Sequence, residues 1–497
     1  MFFLEFIKNF FGECRKIKNE KLFFAIVFFL FSFIIFICFF YNNEVSFPDT
    51  LSSVNKRGSI ISSNEKNNSF DGKGDNTNGD QKNKDDGLQK EEEIEIIDGL
   101  VVIRELNKEI IEEKIEQGKE YLLRMIDKEE NGAHKYYYAT EDSLEERLHT
   151  IYTSSLVYAL LNIYNAEEDP ILLKQIIDSG DFILSMQNEE EGKGYGAFFY
   201  SYYLPSSREG IDDLDSYGRE NKFVVGTTSK TIFTLIRLYN LTDNDKYLKS
   251  AKLGADWLLT MQESDGSIKP YLKYRDGRWY HGTGESLLYN GQVLSALSKI
   301  YVATGEKKYY EGAEKIAKRF AQKYEIAGRN FITGDYRSEN PISNSWVAMS
   351  FIDFYRATEN NYYKDIIFEM MNLIISEQKE DPKNIIDYGQ FEGSYSSSGN
   401  GWIAEVLCET HELCQKEEME DCNKYKEALL KVIRWNMQYT YIKENSYFLK
   451  NPEMAKGGIF WDRVEKYIRT DSVCHGLNAY IGIMGYLSED ILLSIPD

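Results

Sequence analysis

The chain has 497 residues, 42% of them hydrophobic, and a formal net charge of −22. Such a field repels phosphate backbones and argues against nucleic acid as a partner. The length accommodates one large domain or two to three ordinary ones. Six cysteines, two near the N-terminus and four in the last quarter, exclude a disulfide framework.

Residues 22–41 carry no charge and are dominated by Phe, Ile, Leu and Val. At 1.5 Å per residue they match a hydrocarbon core of roughly 30 Å. The stretch ends in Cys38-Phe-Phe-Tyr41 with no small-residue cleavage site, so it reads as an uncleaved transmembrane anchor. Lys8, Arg15, Lys16, Lys18 and Lys21 precede it, whereas the first cations beyond it are Lys56 and Arg57. The positive-inside rule then holds residues 1–21 in the cytoplasm and exports the remainder. Residues 42–98 are rich in Asn, Lys, Asp, Gly and Ser and bury too little surface to offset chain entropy, so they read as a disordered tether.

From residue 99 to 497 the sequence repeats weakly. One kind of helix ends in an apolar pair followed by Gln or a polar equivalent. Its copies are Tyr121–Ile126, Phe182–Gln187, Trp257–Gln262, Ala317–Gln322, Leu373–Gln378 and Ile433–Gln438. A second kind, richer in small and apolar residues, falls between them at Thr150–Tyr164, Thr227–Tyr239, Asn290–Ala303, Ser345–Ala357, Gly401–Cys414 and Ser472–Tyr486. Links from the second kind to the first are short and carry Asp, Asn and Thr, which stop and cap helices. Links back are long. Twelve alternating helices with long loops on one rim predict an all-α fold, an (α/α)6 barrel of six hairpins; an open solenoid is the alternative. Cys414 ends one predicted helix and Cys422 opens the next, so either a bridge across that turn or two free thiols fits.

The segment Gly254-Ala-Asp-Trp-Leu-Leu-Thr-Met-Gln-Glu-Ser-Asp-Gly-Ser267, with the helix order from Leu106 onward, resembles the six-hairpin glycosidase-like superfamily. The resemblance implies a toroid whose long loops bear a glycan-processing site, for a hydrolase, a polysaccharide lyase or a uronate epimerase. It assigns a polysaccharide or glycan partner and no cofactor or metal.

Glycoside hydrolysis needs two carboxyls, one protonated and one ionised. The long loops offer Glu285, Asp335, Glu392 and Asp471 as candidates. In Arg469-Thr-Asp471-Ser-Val-Cys-His475-Gly476, Asp471 is placed to cap the last inner helix. His475 follows at i+4 on the same face, a candidate acid/base. Arg469, Arg463, Trp402, Tyr395, Trp461, Trp279 and Tyr195 are the candidate substrate-binding residues. Two other readings stand beside this one. A non-catalytic toroid would bind a glycan or a protein. A zinc-dependent cyclase resembling lanthionine synthetases would use Cys474-His475-Gly476, but the preceding inner helix opens Gly401-Trp402-Ile403 without the further Cys.

The anchor reading has a direct test. Cysteines placed in residues 42–98 should react with a membrane-impermeant reagent added to intact cells, and reaction only after lysis would reverse the orientation.

Overall fold

Composition separates two kinds of helix in the computed structural model, which describes residues 94–333, 341–487 and 491–495. The predicted membrane span, 22–41, lies outside them, and among the described residues no helix is long and apolar enough to cross a membrane. Residues Gln89–Asp497 form one unit. Six helices are apolar or small-residue nearly all round: α2 (Thr150–Glu167), α4 (Val225–Thr242), α6 (Leu287–Thr304), α8 (Pro341–Thr358), α10 (Ser397–Lys416) and α12 (Thr470–Met484). Six are one-faced: α1 (Lys108–Arg124), α3 (Pro170–Ser185), α5 (Asp245–Thr260), α7 (Lys307–Ile326), α9 (Asn361–Ser376) and α11 (Asn423–Met437). A helix apolar on every side must be covered on every side. The first set accordingly forms an inner ring in which α12 packs back on α2, and the second set lies outside it. This closes the (α/α)6 barrel.

Three of the short links follow one recipe. Inner helices end in a left-handed residue, Glu168, Asp243, Gly305 or Glu359. An Asx side chain then caps the next outer helix: Asp169 accepts from Ile171 N, Asn244 from Lys246 N, and Asn360 from Tyr362 N. Cys414 and Cys422 are disulfide-bonded across the α10–α11 turn, with Cα atoms 5.7 Å apart.

The recurrent glutamine joins neighbouring hairpins. Gln187, buried after α3, donates to Gly196 O at 2.9 Å and to Ser250 O on α5 at 3.0 Å, while Ser250 Oγ donates back at 2.6 Å. Gln262 reaches Gly312 O on α7 at 2.8 Å, and Gln378 reaches Gly389 O at 3.0 Å and Ala428 O on α11 at 2.9 Å. Each side chain ties its own loop to the next outer helix. Gly389, at φ +92°, lies so close that a Cβ would sit 2.2 Å from Lys431 O. Gln322 breaks the pattern: it is exposed inside α7, which continues to Ile326, so the repeat expected there was read one turn early.

Ring closure at the loop end is made by strands. Ile468–Arg469 pairs with Tyr136–Tyr137, joining the last long loop to the first. At the chain's ends Ile491–Ser494 pairs with Glu105–Asn107. A hairpin of Ile96–Ile97 and Leu100–Val101 straddles the tether boundary expected at residue 98 and is held by Val101 N to Gln438 O, 3.1 Å.

Inside the ring, equal register puts equivalent residues at equal depth. The sixth residues of the inner helices are Ser155, Lys230, Gln292, Trp346, Trp402 and His475. The thirteenth are Asn162, Arg237, Lys299, Asp353, Glu409 and Gly482. This deeper layer is knitted by Lys299 to Asp353 at 2.6 Å, Arg237 to Asn162 at 2.5 Å and Arg356 to Glu409 at 2.6 Å.

Replacing Gln187 by Ala removes three hydrogen bonds and leaves the buried Ser250 hydroxyl without its acceptor. It should cost about 2–3 kcal/mol in denaturant unfolding of the full chain. A loss under about 0.5 kcal/mol would contradict the joining role.

Candidate active site

Six long loops gather where the inner helices begin, the end to which their dipoles bring positive potential. One turn below that mouth lies the sixth-residue layer. Trp346 of α8 and Trp402 of α10 stack with centroids 3.5 Å apart and planes 11° from parallel. Lys230 of α4 lies beside the stacked pair, 5.3 and 5.2 Å from the two ring centroids. His475 of α12 meets Trp402 edge-on at 5.2 Å, and its Nδ1 is 2.7 Å from Glu405 Oε2 of α10. Glu405 is buried, yet His475, Lys230 and Asn478 hold its carboxyl below the ordinary range. An ionised Glu405 makes Nδ1 the protonated nitrogen and leaves the Nε2 lone pair free.

His475 is 7% exposed, deeper than the rim position expected of it. One turn into an inner helix already lies within the ring. Asp471 does not cap α12. The helix starts at Thr470, the cap position falls on Arg469, and Asp471 binds the Arg469 guanidinium through both carboxylate oxygens. That ion pair keeps the buried Asp471 carboxyl depressed. Arg469 also covers Trp461 at 4.5 Å and reaches Tyr152 of α2 at 5.8 Å, so first and last inner helices meet there.

Arg469, Asp471, His475, Trp402 and Trp461 are thus brought together, while the remaining candidates are dispersed. Glu285 is clamped by Arg319 at 2.8 and 2.9 Å and by Lys323 at 2.6 Å, all from α7, and accepts from Asn290. Glu392 is exposed with Lys379 at 3.8 Å. Arg463 pairs with Asp387 at 2.9 Å. Trp279 stacks on Phe223 at 5.3 Å, and Tyr195 and Tyr395 are exposed. Asp335 lies outside the described residues. Trp402 is committed to Trp346 and offers no open face.

Sequence reasoning missed Lys230, Trp346 and Glu405, although matching the six inner helices residue by residue marks the first two. It also missed an aromatic wall at the closing seam. Tyr136 lies 5.7 Å from Tyr138 and 5.3 Å from Tyr467, and Tyr467 stacks on Trp461 at 5.8 Å. Behind it, buried His149 is pushed down to about 4 by desolvation, beside Glu145 at 3.3 Å. For the zinc reading, no group of three ligand-type side chains converges among the described residues, and Cys474 and Cys408 are buried as separate thiols. A cavity of about 540 Å³ opens at the opposite end, lined by Tyr158, Asn162, Glu405, Glu409, Glu412 and Asn478.

This toroid places the chain in a defined structural class, that of (α/α)6 barrels. Comparison shows the same fold in solved glycan-processing proteins. The model of glycosyl hydrolase family 76 matches residues 227–339. Among solved structures, the cellobiose 2-epimerase of Bacillus thermoamylovorans is 12% identical, covers 76% of this chain and 100% of its own, and has a TM-score of 0.59. An inactive variant of the α-1,6-mannanase of Salegentibacter sp., in complex with α-1,6-mannotriose, is 10% identical, with coverages of 76% and 100% and a TM-score of 0.54. An unsaturated glucuronyl hydrolase from a Streptococcus is 14% identical, with coverages of 78% and 94% and a TM-score of 0.55. No curated protein matches by sequence. In the mannanase variant two successive aspartates are replaced. Here the described successive pair, Asp212-Asp213, precedes the matched stretch and lies in the α3–α4 loop, with Asp213 3.6 Å from Lys273.

His149 carries a sign for acid stability. Its folded pKa lies below the ordinary 6.5, so the unfolded chain binds the proton first, and stability should fall as pH drops from 6.5 towards about 4. His149→Asn should flatten that slope in thermal melts of the full chain. Parallel slopes for the two proteins would contradict it.

Proposed function

We propose that this chain is a carbohydrate-active enzyme held outside the cytoplasm by an N-terminal anchor, processing a glycan at the long-loop mouth. The observation that carries the reading is the Glu405–His475 pair below that mouth, with Nδ1 and Oε2 2.7 Å apart. An ionised carboxylate fixing Nδ1–H orients the imidazole, so Nε2 is the atom that takes or gives a proton. Arg469, fixed by Asp471, stands at the same mouth and suits a substrate oxygen. The aromatic wall of Tyr136, Tyr138, Trp461 and Tyr467 offers ring faces and edges to sugar C–H groups.

The family-76 match and the glycan-processing neighbours support this class. Among its reactions the dyad favours those needing one proton-transfer base, as in lyases and epimerases. A hydrolase needs two carboxyls flanking the bond, and the acidic candidates among the described residues, Glu285, Glu392 and Asp471, are paired or apart. The Cys414–Cys422 disulfide supports export, since such bonds persist in oxidising compartments. The near-complete burial of His475 favours the second reading, a binding toroid without catalysis.

The test is to incubate the full chain, in neutral detergent, with a panel of polysaccharides, reading reducing ends, unsaturated uronates and sugar epimers. Turnover of one class is expected. His475→Gln, chosen because Ala would leave Glu405 buried without a partner, should lower it by about 10²–10⁴-fold. Turnover within a few-fold of the original would remove His475 from the chemistry. No turnover of any glycan would favour the binding toroid.

A further inference from the structure

Around the mouth the charges divide into two groups. The carboxylates are engaged: Asp471 by Arg469, Glu405 by His475, Glu145 by Arg147 at 2.6 and 2.9 Å, and Glu220 by Ser201 Oγ at 2.9 Å. Three half-buried lysines are not. The ammonium groups of Lys135, Lys222 and Lys230 make no hydrogen bond or ion pair among the described residues. Each lies against aromatic rings instead. Lys135 is 4.3 Å from the Tyr136 centroid and 5.7 Å from Tyr152, and Lys222 is 4.3 Å from Tyr200. Lys230 lies beside Trp346 and Trp402.

The three sit in one neighbourhood. Tyr152 faces both Lys135 and Arg469, and His149 lies edge-on to both Tyr152 and Tyr200. Lys230 lies beneath, in the same layer as His475. Elsewhere on this domain Lys299 finds Asp353 and Lys364 finds Glu417, while Lys466, over the Phe460 ring at 4.2 Å, is a further ammonium without a carboxylate. An ammonium withdrawn from water without a counter-ion is costly, and an aromatic face recovers only about 0.5–2 kcal/mol. On a chain of net charge −22, carboxylates for pairing are abundant. A site that leaves three cations unpaired is built for a negative charge arriving with the ligand.

We propose that the glycan accepted at this mouth is anionic, its carboxylate or phosphate groups held by Lys135, Lys222 and Lys230. This rests on the mouth being the glycan site. Burial and the neighbouring Arg469 push Lys135 down to about 8, as a cation awaiting its partner would be. Bound anion reverses that shift and anchors one sugar charge against Lys135 at the seam. Lys230, below, is placed to meet the charge nearest Nε2 of His475.

The experiment is titration calorimetry of the full chain in neutral detergent against three probes of equal length: oligogalacturonate, a phosphorylated mannooligosaccharide and neutral mannooligosaccharide. One anionic probe should bind at least about tenfold more tightly than the neutral one, and the preference should shrink as salt is raised. The better anionic probe separates carboxylate from phosphate. Lys135→Gln and Lys230→Gln should each weaken that probe by about tenfold and the neutral probe by clearly less. Lys222→Gln, further up the loop, should do so by less; circular dichroism melts confirm that each variant is folded. Equal binding of neutral and anionic probes, or lysine variants indistinguishable from the original, overturns the anionic assignment and leaves the glycan reading standing. Binding of no probe overturns both.

Discussion

Closure of the inner ring is the constraint on which the remainder depends. Six helices facing a common axis must present small or apolar residues to their neighbours and something else to the centre. In this chain the centre is ionic. The thirteenth-residue layer is tied by Lys299–Asp353 and Arg237–Asn162, and Arg356 reaches Glu409 beside it. Asp353 is buried, so removing Lys299 would leave its charge without compensation, which costs more than the pair contributes. These contacts therefore fix which helices are neighbours and at what height. With heights fixed, the sixth-residue layer assembles itself: two tryptophans, a lysine and a histidine meet because each stands six residues into its own helix.

The mouth inherits its asymmetry from the seam between first and last hairpins. Five junctions are spanned by chain-sequential hairpins, and the sixth must be made by distant segments. Strand Ile468–Arg469 on Tyr136–Tyr137, with Thr470 Oγ1 donating to His134 O, makes it. Arg469 is thereby delivered between Trp461 and Tyr152, and Lys135 beside it. The densest polar and aromatic chemistry coincides with the point where the ring is sewn shut.

Much of the fold was legible in sequence because its signals are local and repeated. Small and apolar runs marked the inner helices, and Asx caps marked the short links. The glutamine was legible as a recurrent residue but not as a joint, since its partners Ser250 and Ala428 lie on the next hairpin. The site was less legible. Arg469, Asp471 and His475 are sequence neighbours and were found together. Glu405 was missed because it lies 70 residues from His475. His475 was placed too near the surface because helical periodicity gives a face and not a depth. Asp471 was misread as a cap because an arginine two residues earlier competes for its carboxylate. Glu285 has the composition of a catalytic acid, and only the α7 cations that clamp it show its structural commitment.

The central claim is that a glycan meets this barrel at the long-loop mouth, above the Glu405–His475 pair. A crystal structure of the full chain soaked with the oligosaccharide it binds best tests that most directly. The account predicts sugar density against Trp461, Tyr467 and Arg469, with a substrate oxygen or carbon within about 3–3.5 Å of His475 Nε2. Density confined to the opposite cavity lined by Glu409, Glu412 and Asn478 would contradict it.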